Sequence, residues 1–480
     1  MKSQIVPVAC LAALLALLTG CGAAPATSVD EAPNTGSTTS DLFPPSGTVV
    51  DSELFPPEAE VGEAGPTPTG AEPAAIQTAP VYPYNDKATS HFPLVNLQPH
   101  GSSAGSAFDI SKYWGNLSPW YSVHSADYGL PDASPLAPEG CDITQMHLLY
   151  RHGARYPTSG QGPSSFATKL ANATKNGLSV SGDLAFLGNW TYKLGAELLT
   201  PFGRSQNFLL GAAYRQLGSI GTSAASKFAV GAFNSTIARL QSQASGIEFN
   251  VTDIVNMLQL CAYETNALGY SAFCDLFSEE DFLNFEYLYD LSFYYNNGPG
   301  SPVSAAQGKG YLDKYIARFT GKYPAPQSAL NETFDNTSTY FPLDQSIYAD
   351  ATHEVVVLDA LMAFNLTALF DGPPLSVAGN RWQNSFVASK VVPFATHFTT
   401  QVLSCPAYSP SKQIRFILND AVIPIDKSYP GCPADPSGLC SFEKVVSVLQ
   451  KRSSENDFDY DCFANYTAEA DVDYNGRAPR

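Results

Sequence analysis

The sequence predicts an α/β fold in which helices cover both faces of a sheet, joined to a second, mainly helical domain. The first observation is the uncharged, mostly apolar run Ile143–Tyr150, which is typical of a buried strand. The second is the alternation of strand-like runs with segments of helical periodicity, which favours a sheet covered on both faces. The third is the stretch of about 160–300, where helical periodicity dominates. That stretch is therefore predicted to be a helical subdomain.

The same periodicities predict the individual elements. Besides the strand at 143–150, strands are expected at Ser346–Asp350 and Gln413–Leu418. Helices are expected at Ser164–Lys175, Arg204–Leu217, Asp253–Tyr263, Asp281–Tyr295, Leu312–Phe319 and Glu354–Leu369. These elements place the folded domain within residues 101–480.

Composition excludes two broad classes of protein. The 480 residues are 44% hydrophobic and 12% aromatic, enough for a large core, so the chain as a whole is not disordered. The formal net charge is −19, whereas a nucleic-acid-binding protein needs a basic surface. No nucleic-acid partner is therefore expected. Only 15% of the residues are charged, against roughly 25% in an ordinary domain, which raises the question of what keeps the protein soluble.

Residues 1–26 are predicted to be a secretory signal peptide. Lys2 precedes an apolar run that peaks at Leu11–Leu18, and small residues follow. The run is too short to span a bilayer, so no stable membrane association is expected. Leu18–Cys21 also fits a bacterial lipidation box, but nine Asn-x-Ser/Thr sites favour a eukaryotic secretory route and a glycoprotein. The sites are Asn116, Asn172, Asn189, Asn234, Asn250, Asn331, Asn336, Asn365 and Asn465. The predicted location is extracellular, or the cell wall or vacuole.

Residues 27–100 are predicted to be a disordered, acidic segment. Between Thr27 and Pro80 there are nine acidic residues and no Lys or Arg, with abundant Pro, Ser and Thr. Such a composition buries too little apolar surface to offset the entropy of ordering. The folded remainder, residues 81–480, still carries a formal charge of −11.

The cysteine pattern fits an oxidising compartment. Of nine cysteines, Cys10 and Cys21 belong to the signal peptide or its cleavage zone. The remaining seven include no Cys-x-x-Cys pair, so zinc and thioredoxin-like sites are not expected. They predict disulfides, with one thiol left over.

The candidate site begins with the motif Arg151-His152-Gly153-Ala154-Arg155-Tyr156-Pro157, directly after the first predicted strand. Open α/β sheets bind ligands at this end of a strand. Arg151 and Arg155 each offer a planar set of donors that matches phosphate oxygens. Between these positive charges His152 is expected to stay neutral, with a ring nitrogen able to attack phosphorus. The alternative, an ordinary exposed turn, fits less well because the motif follows a buried strand.

At this motif the chain resembles the histidine acid phosphatase family, and most closely its fungal phytase branch. The resemblance runs from about Trp114 to Phe463 and includes Cys141–Thr158, Leu199–Gly203, Phe273–Phe277, Gln307–Tyr311, Ile347–Asp350, Val422–Pro424 and Gly431–Pro433. The resemblance implies a phosphoglycerate-mutase-like α/β domain with a helical domain over the active site. It also implies hydrolysis of phosphate esters.

The resemblance assigns a role to each candidate site residue. His152 matches the nucleophile that becomes phosphohistidine, and Arg151 and Arg155 match ligands of the phosphate. His353 matches a further phosphate ligand, and Glu354 stands where the family has the Asp that protonates the leaving alcohol. No metal or cofactor is expected, because Arg and protonated His supply the charge stabilisation.

One segment of the family pattern is missing. The family has several dozen residues, including a phosphate-binding Arg, where this chain has only the short region 218–227. Arg215 or Lys227 are candidate substitutes for that Arg. The resemblance implies the pairs Cys141–Cys405, Cys261–Cys274 and Cys432–Cys440. The usual partner of Cys462 falls in the missing segment, which accounts for the odd thiol.

These observations predict a secreted, metal-independent acid phosphomonoesterase, either a phytase or a general acid phosphatase. Asp183 and Gly188 replace lysines that phytases of this branch carry, which weakens the case for phytate. The missing segment raises an alternative, a catalytically impaired protein that binds phosphate esters. An intracellular phosphoglycerate mutase shares Arg-His-Gly but conflicts with the signal peptide.

Overall fold

The computed structural model describes residues 42–43, 72–73, 97–102, 108–158, 160–197, 199–200, 220–325, 330, 335–379, 386–469 and 472–480. The predicted signal peptide, most of the acidic segment, the predicted helix Arg204–Leu217 and Arg215 lie outside these ranges. Within the acidic segment, strand β1 (Leu42–Phe43) pairs antiparallel with β2 (Glu72–Pro73).

The main sheet of the described residues is mixed. Its strands are β3 (Asp142–Arg151), β6 (Ile347–Thr352), β7 (His397–Ser404), β8 (Lys412–Leu418), β9 (Ala421–Ile423) and β10 (Cys440–Ser441). The order is β10-β8-β7-β3-β6, with β9 beside β8. The pair β3–β6 is parallel, and the other pairs are antiparallel. The three predicted strands correspond to β3, β6 and β8.

The sequence did not predict β7, because its polar residues hide a buried strand. Thr400 is fully buried and its hydroxyl is hydrogen-bonded to the hydroxyl of Tyr315. Gln401 is buried as well and accepts a hydrogen bond at 2.8 Å from Nε of Arg415. Each polar side chain therefore finds its partner inside the core, which no pattern of apolar residues reveals.

The helices of the described residues are α1 (Pro163–Lys175), α2 (Ile220–Ala232), α3 (Asn234–Gln241), α4 (Val251–Leu268), α5 (Glu279–Asn296), α6 (Ser304–Thr320), α7 (Glu354–Phe364), α8 (Ala388–Val391), α9 (Phe442–Glu455) and α10 (Phe458–Phe463). Short 3₁₀ helices cover Ile110–Lys112, Gly115–Leu117, Ser125–Tyr128, Gly182–Gly188, Ala272–Leu276 and Thr367–Phe370. None of these described helices is both long and apolar enough to span a membrane.

Helix α7 is shorter than the predicted helix 354–369. Asn365 adopts a left-handed conformation with φ of 60° and caps the helix. Asn tolerates this conformation better than most residues with a side chain, so it ends α7, and a separate 3₁₀ turn follows.

Two large hydrophobic cores lie under the described elements. One packs the sheet against α6, α7 and α9, with Phe364 and Phe416 among its buried residues. The other belongs to the helical region and includes Phe166 on α1 and Leu258 on α4. Helix α5 contributes to both cores, so it joins the helical layer to the sheet layer. The region of about 160–300 is not helix alone, because β4 (Ser179–Val180) pairs with β5 (Ala244–Ser245).

The described residues contain three disulfides. They join Cys141 to Cys405, Cys261 to Cys274 and Cys432 to Cys440, the pairs that the resemblance implies. Cys462 is a free thiol, and burial raises its pKa to about 11.

Candidate active site

Two parallel strands end side by side at the candidate site. Arg151, the last residue of β3, lies opposite Thr352, the last residue of β6. His152 follows β3 and donates its backbone N–H to the carbonyl of Thr352 at 3.2 Å. His353 follows β6, and its ring lies 5.0 Å from the ring of His152, centroid to centroid. Glu354 is the first residue of α7. The fold thus brings together residues that are about 200 positions apart in the chain.

Arg151 is the buried centre of this group, with only 1% of its surface exposed. Its Nη1 donates to the carbonyls of Asn116 at 2.5 Å and Val392 at 2.8 Å. Its Nε lies 2.9 Å from Oε2 of Glu354, and its guanidinium stacks on the ring of Phe394 at 4.4 Å from the centroid. Arg151 is therefore fixed by backbone on one side and by a carboxylate on the other.

The hydrogen bonds of His152 determine which ring nitrogen carries the proton. Nδ1 lies 2.8 Å from the carbonyl oxygen of Gly153, and since a carbonyl only accepts, Nδ1 donates. Nε2 is buried and has no hydrogen-bond partner among the described residues. Burial, followed by the charge of Arg151, lowers the pKa of His152 to about 3. His152 is therefore neutral, and Nε2 holds an unshared electron pair.

Glu354 is a carboxylate in this arrangement. Burial alone would raise its pKa, but the charges of Arg151 first and of Arg155 lower it to about 2. Its Oε1 accepts a hydrogen bond from Nδ2 of Asn116 at 3.1 Å. The charge that holds Glu354 ionised thus comes from the same cations that would bind a phosphate.

His353 and Arg155 complete the group on its more accessible side. Burial, then the charges of Arg151 and Arg155, lower the pKa of His353, and Glu354 opposes them. Nη1 of Arg155 donates to the carbonyl of Tyr156 at 2.8 Å and lies 3.5 Å from a carboxylate oxygen of Glu197. The side chain of Arg155 is 20% exposed, so solvent reaches it more easily than it reaches Arg151.

Three neighbours of the site escaped the sequence reasoning. Asn116 contacts Glu354, and Glu197 contacts Arg155. The ring of Phe394 packs against the guanidinium of Arg151. None belongs to a motif with its own chemistry, and Asn116 instead carries the pattern of a glycosylation site.

The proposed substitutes for the missing Arg gain nothing from the structure. Lys227 lies on the exposed face of α2, and Arg215 is outside the described residues. At the position of one phytase lysine, Asp183 lies 3.3 Å from Arg239. Within the described ranges no group of three or more His, Cys, Asp or Glu side chains could hold a metal ion.

Comparison with known families gives a direct match. A sequence model of the histidine phosphatase superfamily (branch 2) matches residues 142–217 and 222–419, which include all five candidate site residues. The match is interrupted between 217 and 222, within or beside the region 218–227 where the resemblance implies a missing segment.

Similar proteins agree with this match. Phytase A of Aspergillus awamori is 27% identical over 433 residues, which cover 73% of this chain and 90% of that protein. Phytase A of Emericella nidulans is 28% identical over 422 residues, 71% of this chain and 88% of that protein. Among solved structures, the phytase from D. castellii superposes with a TM-score of 0.55 at 17% identity, covering 77% of this chain and 92% of that one. That structure shares the fold.

Proposed function

This chain belongs to the histidine phosphatase superfamily (branch 2) and is a phosphoric monoester hydrolase, and from that premise we propose that it is a secreted acid phosphatase that works through a phosphohistidine. His152 is the nucleophile, Glu354 is the general acid and base, and Arg151, Arg155 and His353 hold the phosphoryl group. The observation that carries the proposal is the unpaired, unprotonated Nε2 of His152 at the end of β3.

The first half of the reaction transfers the phosphoryl group to the enzyme. Nε2 of His152 attacks phosphorus, and the bond from phosphorus to the ester oxygen breaks. Glu354 gives its proton to the leaving oxygen, so the product departs as an alcohol. The guanidinium groups of Arg151 and Arg155 balance the charge on the phosphoryl oxygens in the transition state.

The second half returns the enzyme to its starting state. The carboxylate of Glu354 takes a proton from water, and the resulting hydroxide attacks phosphorus. The bond between phosphorus and Nε2 breaks, and inorganic phosphate leaves. Glu354 has then recovered the proton that it gave away.

An acid working range follows from the charges. Glu354 has to carry a proton to act as an acid, and the cations around it hold its pKa at about 2 while no phosphate is bound. The folded residues 81–480 also carry a formal charge of −11, which repels phosphate esters at neutral pH. We expect maximal activity at acid pH, and an alkaline maximum would contradict the proposal.

Small phosphate esters are the proposed substrates, inositol phosphates or other phosphomonoesters. Several of the similar proteins are phytases, which supports inositol phosphates. Asp183 and Gly188 at the lysine positions support esters with fewer charges. Comparing kcat/KM for phytate and for a sugar monophosphate at acid pH decides between them. The predicted alternative, an impaired binding protein, has no support among the comparisons.

The decisive test uses the protein without its signal peptide. We expect turnover of p-nitrophenyl phosphate at acid pH and a phosphoenzyme on rapid quenching, and we expect His152→Ala to abolish both. His124→Ala, which alters an exposed histidine, is the matched control and should keep full activity. Turnover that survives in H152A, or a wild-type protein without turnover, would falsify the assignment.

A further inference from the structure

We propose that Asn116 is a positioning residue that holds one oxygen of Glu354 and leaves the other to carry the catalytic proton. This inference rests on the proposed role of Glu354 as general acid. Asn116 lies in the 3₁₀ helix Gly115–Leu117, far from the two strand ends in sequence, and only 8% of its surface is exposed.

Asn116 contacts both members of the central ion pair. Its backbone carbonyl accepts from Nη1 of Arg151 at 2.5 Å, and its side-chain Nδ2 donates to Oε1 of Glu354 at 3.1 Å. Those two side chains are themselves 2.9 Å apart. A single residue therefore fixes the geometry of the cation and of the carboxylate.

The segment around Asn116 is itself held firmly. The backbone N–H of Gly115 donates to Oε2 of Glu286 at 2.6 Å, and the carbonyl of Leu117 accepts from Nδ2 of Asn266 at 3.0 Å. Gly115 has φ of 55°, and a Cβ there would clash with the side chain of Tyr289. Only glycine fits this position, so the amide of Asn116 is presented from a rigid turn.

The two oxygens of Glu354 are not equivalent in this arrangement. Oε1 accepts the amide proton of Asn116, whereas Oε2 faces the guanidinium of Arg151, 2.9 Å from its Nε. When a phosphate engages Arg151, Oε2 is the oxygen that becomes available for a proton. A glutamate also has one more rotatable bond than the Asp implied by the resemblance, so a fixed partner on Oε1 limits the extra freedom.

The same contacts rule out one glycosylation site. Asn116-Leu117-Ser118 has the sequence of an acceptor, but the amide nitrogen of Asn116 is occupied by Glu354. Ser118 is fully buried, and its hydroxyl accepts from the backbone N–H of Trp114 at 3.1 Å. A glycan on Asn116 does not fit this fold, and the other sites stay predictions.

The test measures leaving-group dependence in Asn116→Ala and in the isosteric Asn116→Asp. Loss of a hydrogen bond to a charged group predicts a fall in kcat of about 10- to 100-fold on an alkyl phosphate. The fall on p-nitrophenyl phosphate, whose leaving group needs little protonation, should be much smaller. In N116D the added negative charge also raises the pKa of Glu354, which moves the corresponding limb of the kcat–pH profile to higher pH.

Asn297→Ala is the matched control, because Asn297 is also buried and donates at 3.1 Å to the carboxylate of Asp359, away from the site. N297A should leave the ratio of kcat on the alkyl phosphate to kcat on p-nitrophenyl phosphate unchanged. If N116A does not fold, N116D decides the question. The proposal is overturned if N116D has the wild-type pH profile and the wild-type ratio of kcat on the alkyl phosphate to kcat on p-nitrophenyl phosphate. This conclusion requires that Glu354→Gln, measured in parallel, shows the leaving-group effect. If E354Q shows no such effect, the acid role of Glu354 has failed instead.

Discussion

Two buried carboxylates flank the segment Gly115–Asn116, and the fold treats them in opposite ways. Glu354 has its pKa lowered to about 2, whereas burial raises the pKa of Glu286 to about 7. Burial disfavours the charge in both cases. The difference comes from their neighbours. The charges of Arg151 and Arg155 outweigh burial at Glu354, whereas at Glu286 the hydrogen bonds from Ser389, Gly115 and Asp290 offset burial only in part. Neighbouring charge, and not depth, decides which carboxylate is ionised.

The pair Glu286–Asp290 holds the backbone segments next to the carbonyls that contact Arg151. The two oxygens of Glu286 accept the backbone N–H groups of Gly115 at 2.6 Å and Ser389 at 2.9 Å. Asp290 accepts the N–H of Ala388 at 2.7 Å. Gly115 precedes Asn116, and the segment after Ser389 leads to Val392, so both carbonyls that hold Arg151 depend on this pair. The pair Glu286–Asp290 thus holds the backbone around the site, whereas the ionised Glu354 takes part in the proposed reaction.

Arg151→Leu removes the cation that does most to lower the pKa of Glu354. This substitution should reduce activity the most. Glu354 would then be buried without its main partner, its pKa would rise, and the phosphate would lose a ligand. We expect kcat/KM to fall at least about 10²- to 10³-fold, as for loss of one preorganised donor. Leaving a buried charge unpaired also costs about 3–5 kcal/mol of stability, which thermal unfolding measures.

Arg239→Leu is the control for this experiment. Arg239 also pairs with a carboxylate, Asp183 at 3.3 Å, but the pair lies on the more exposed helical region. It should keep kcat/KM within about twofold, as expected for a surface ion pair. An R151L enzyme within tenfold of wild type would mean that Arg151 does not govern Glu354.

The contrast between these regions also shows what sequence reasoning can reach. Arg151 and His152 were predictable from their motif after a buried strand, whereas His353 and Glu354 were found through the resemblance to the family and their place after the predicted strand Ser346–Asp350. The parallel register of β3 and β6 brings the two pairs together. Glu286 and Asp290 were not, since two acids four residues apart on a helix indicate a solvent-facing side. Their burial depends on α8 presenting backbone N–H groups, and that tertiary contact leaves no pattern in the sequence.

The parts of the fold that were missed have the same origin. Strand β7 contains polar residues but is buried in the core. Its Thr400 is hydrogen-bonded to Tyr315, and its Gln401 accepts a hydrogen bond from Arg415. Helix α2 was not predicted, and its Gly221 donates its N–H to the side chain of Asn296 on α5 at 2.8 Å. Long-range partners, and not local propensity, decide these elements.

The raised pKa of Glu286 predicts a pH-dependent stability of intermediate size. Since the folded-state pKa is about 7 and the ordinary value is 4.5, the folded state binds the proton more tightly. Stability is therefore greatest below about pH 4.5 for this group and is lost as pH rises through 7. The loss is on the order of 3 kcal/mol, and Asp290, whose pKa is also raised by burial and by Glu286, adds to it.

Glu286→Gln mimics the protonated form and should flatten this dependence. We expect the fall in unfolding free energy between pH 4.5 and pH 7.5, measured with urea, to be clearly smaller than in wild type. At pH 4.5 the variant should lose about 1 kcal/mol, because the amide offers one acceptor fewer. Glu279→Gln, an exposed change on the same helix, should alter neither value. Parallel pH profiles for E286Q and wild type would show that Glu286 is not protonated in the folded protein.

Glu197 is a third carboxylate, exposed where the other two are buried, and it should give the smallest effect. Its side chain is 49% exposed and lies 3.5 Å from Nη1 of Arg155, where it competes with the phosphate for that cation. An exposed pair is worth about 0–1 kcal/mol, so Glu197→Gln should lower KM for p-nitrophenyl phosphate by about two- to fivefold with kcat unchanged. Raising the salt concentration should lower KM of wild type relative to E197Q, because salt screens the competing carboxylate. If KM in E197Q rises instead, Glu197 positions Arg155 and does not compete for it, and solvent exposure would then be no guide to which carboxylates serve the site.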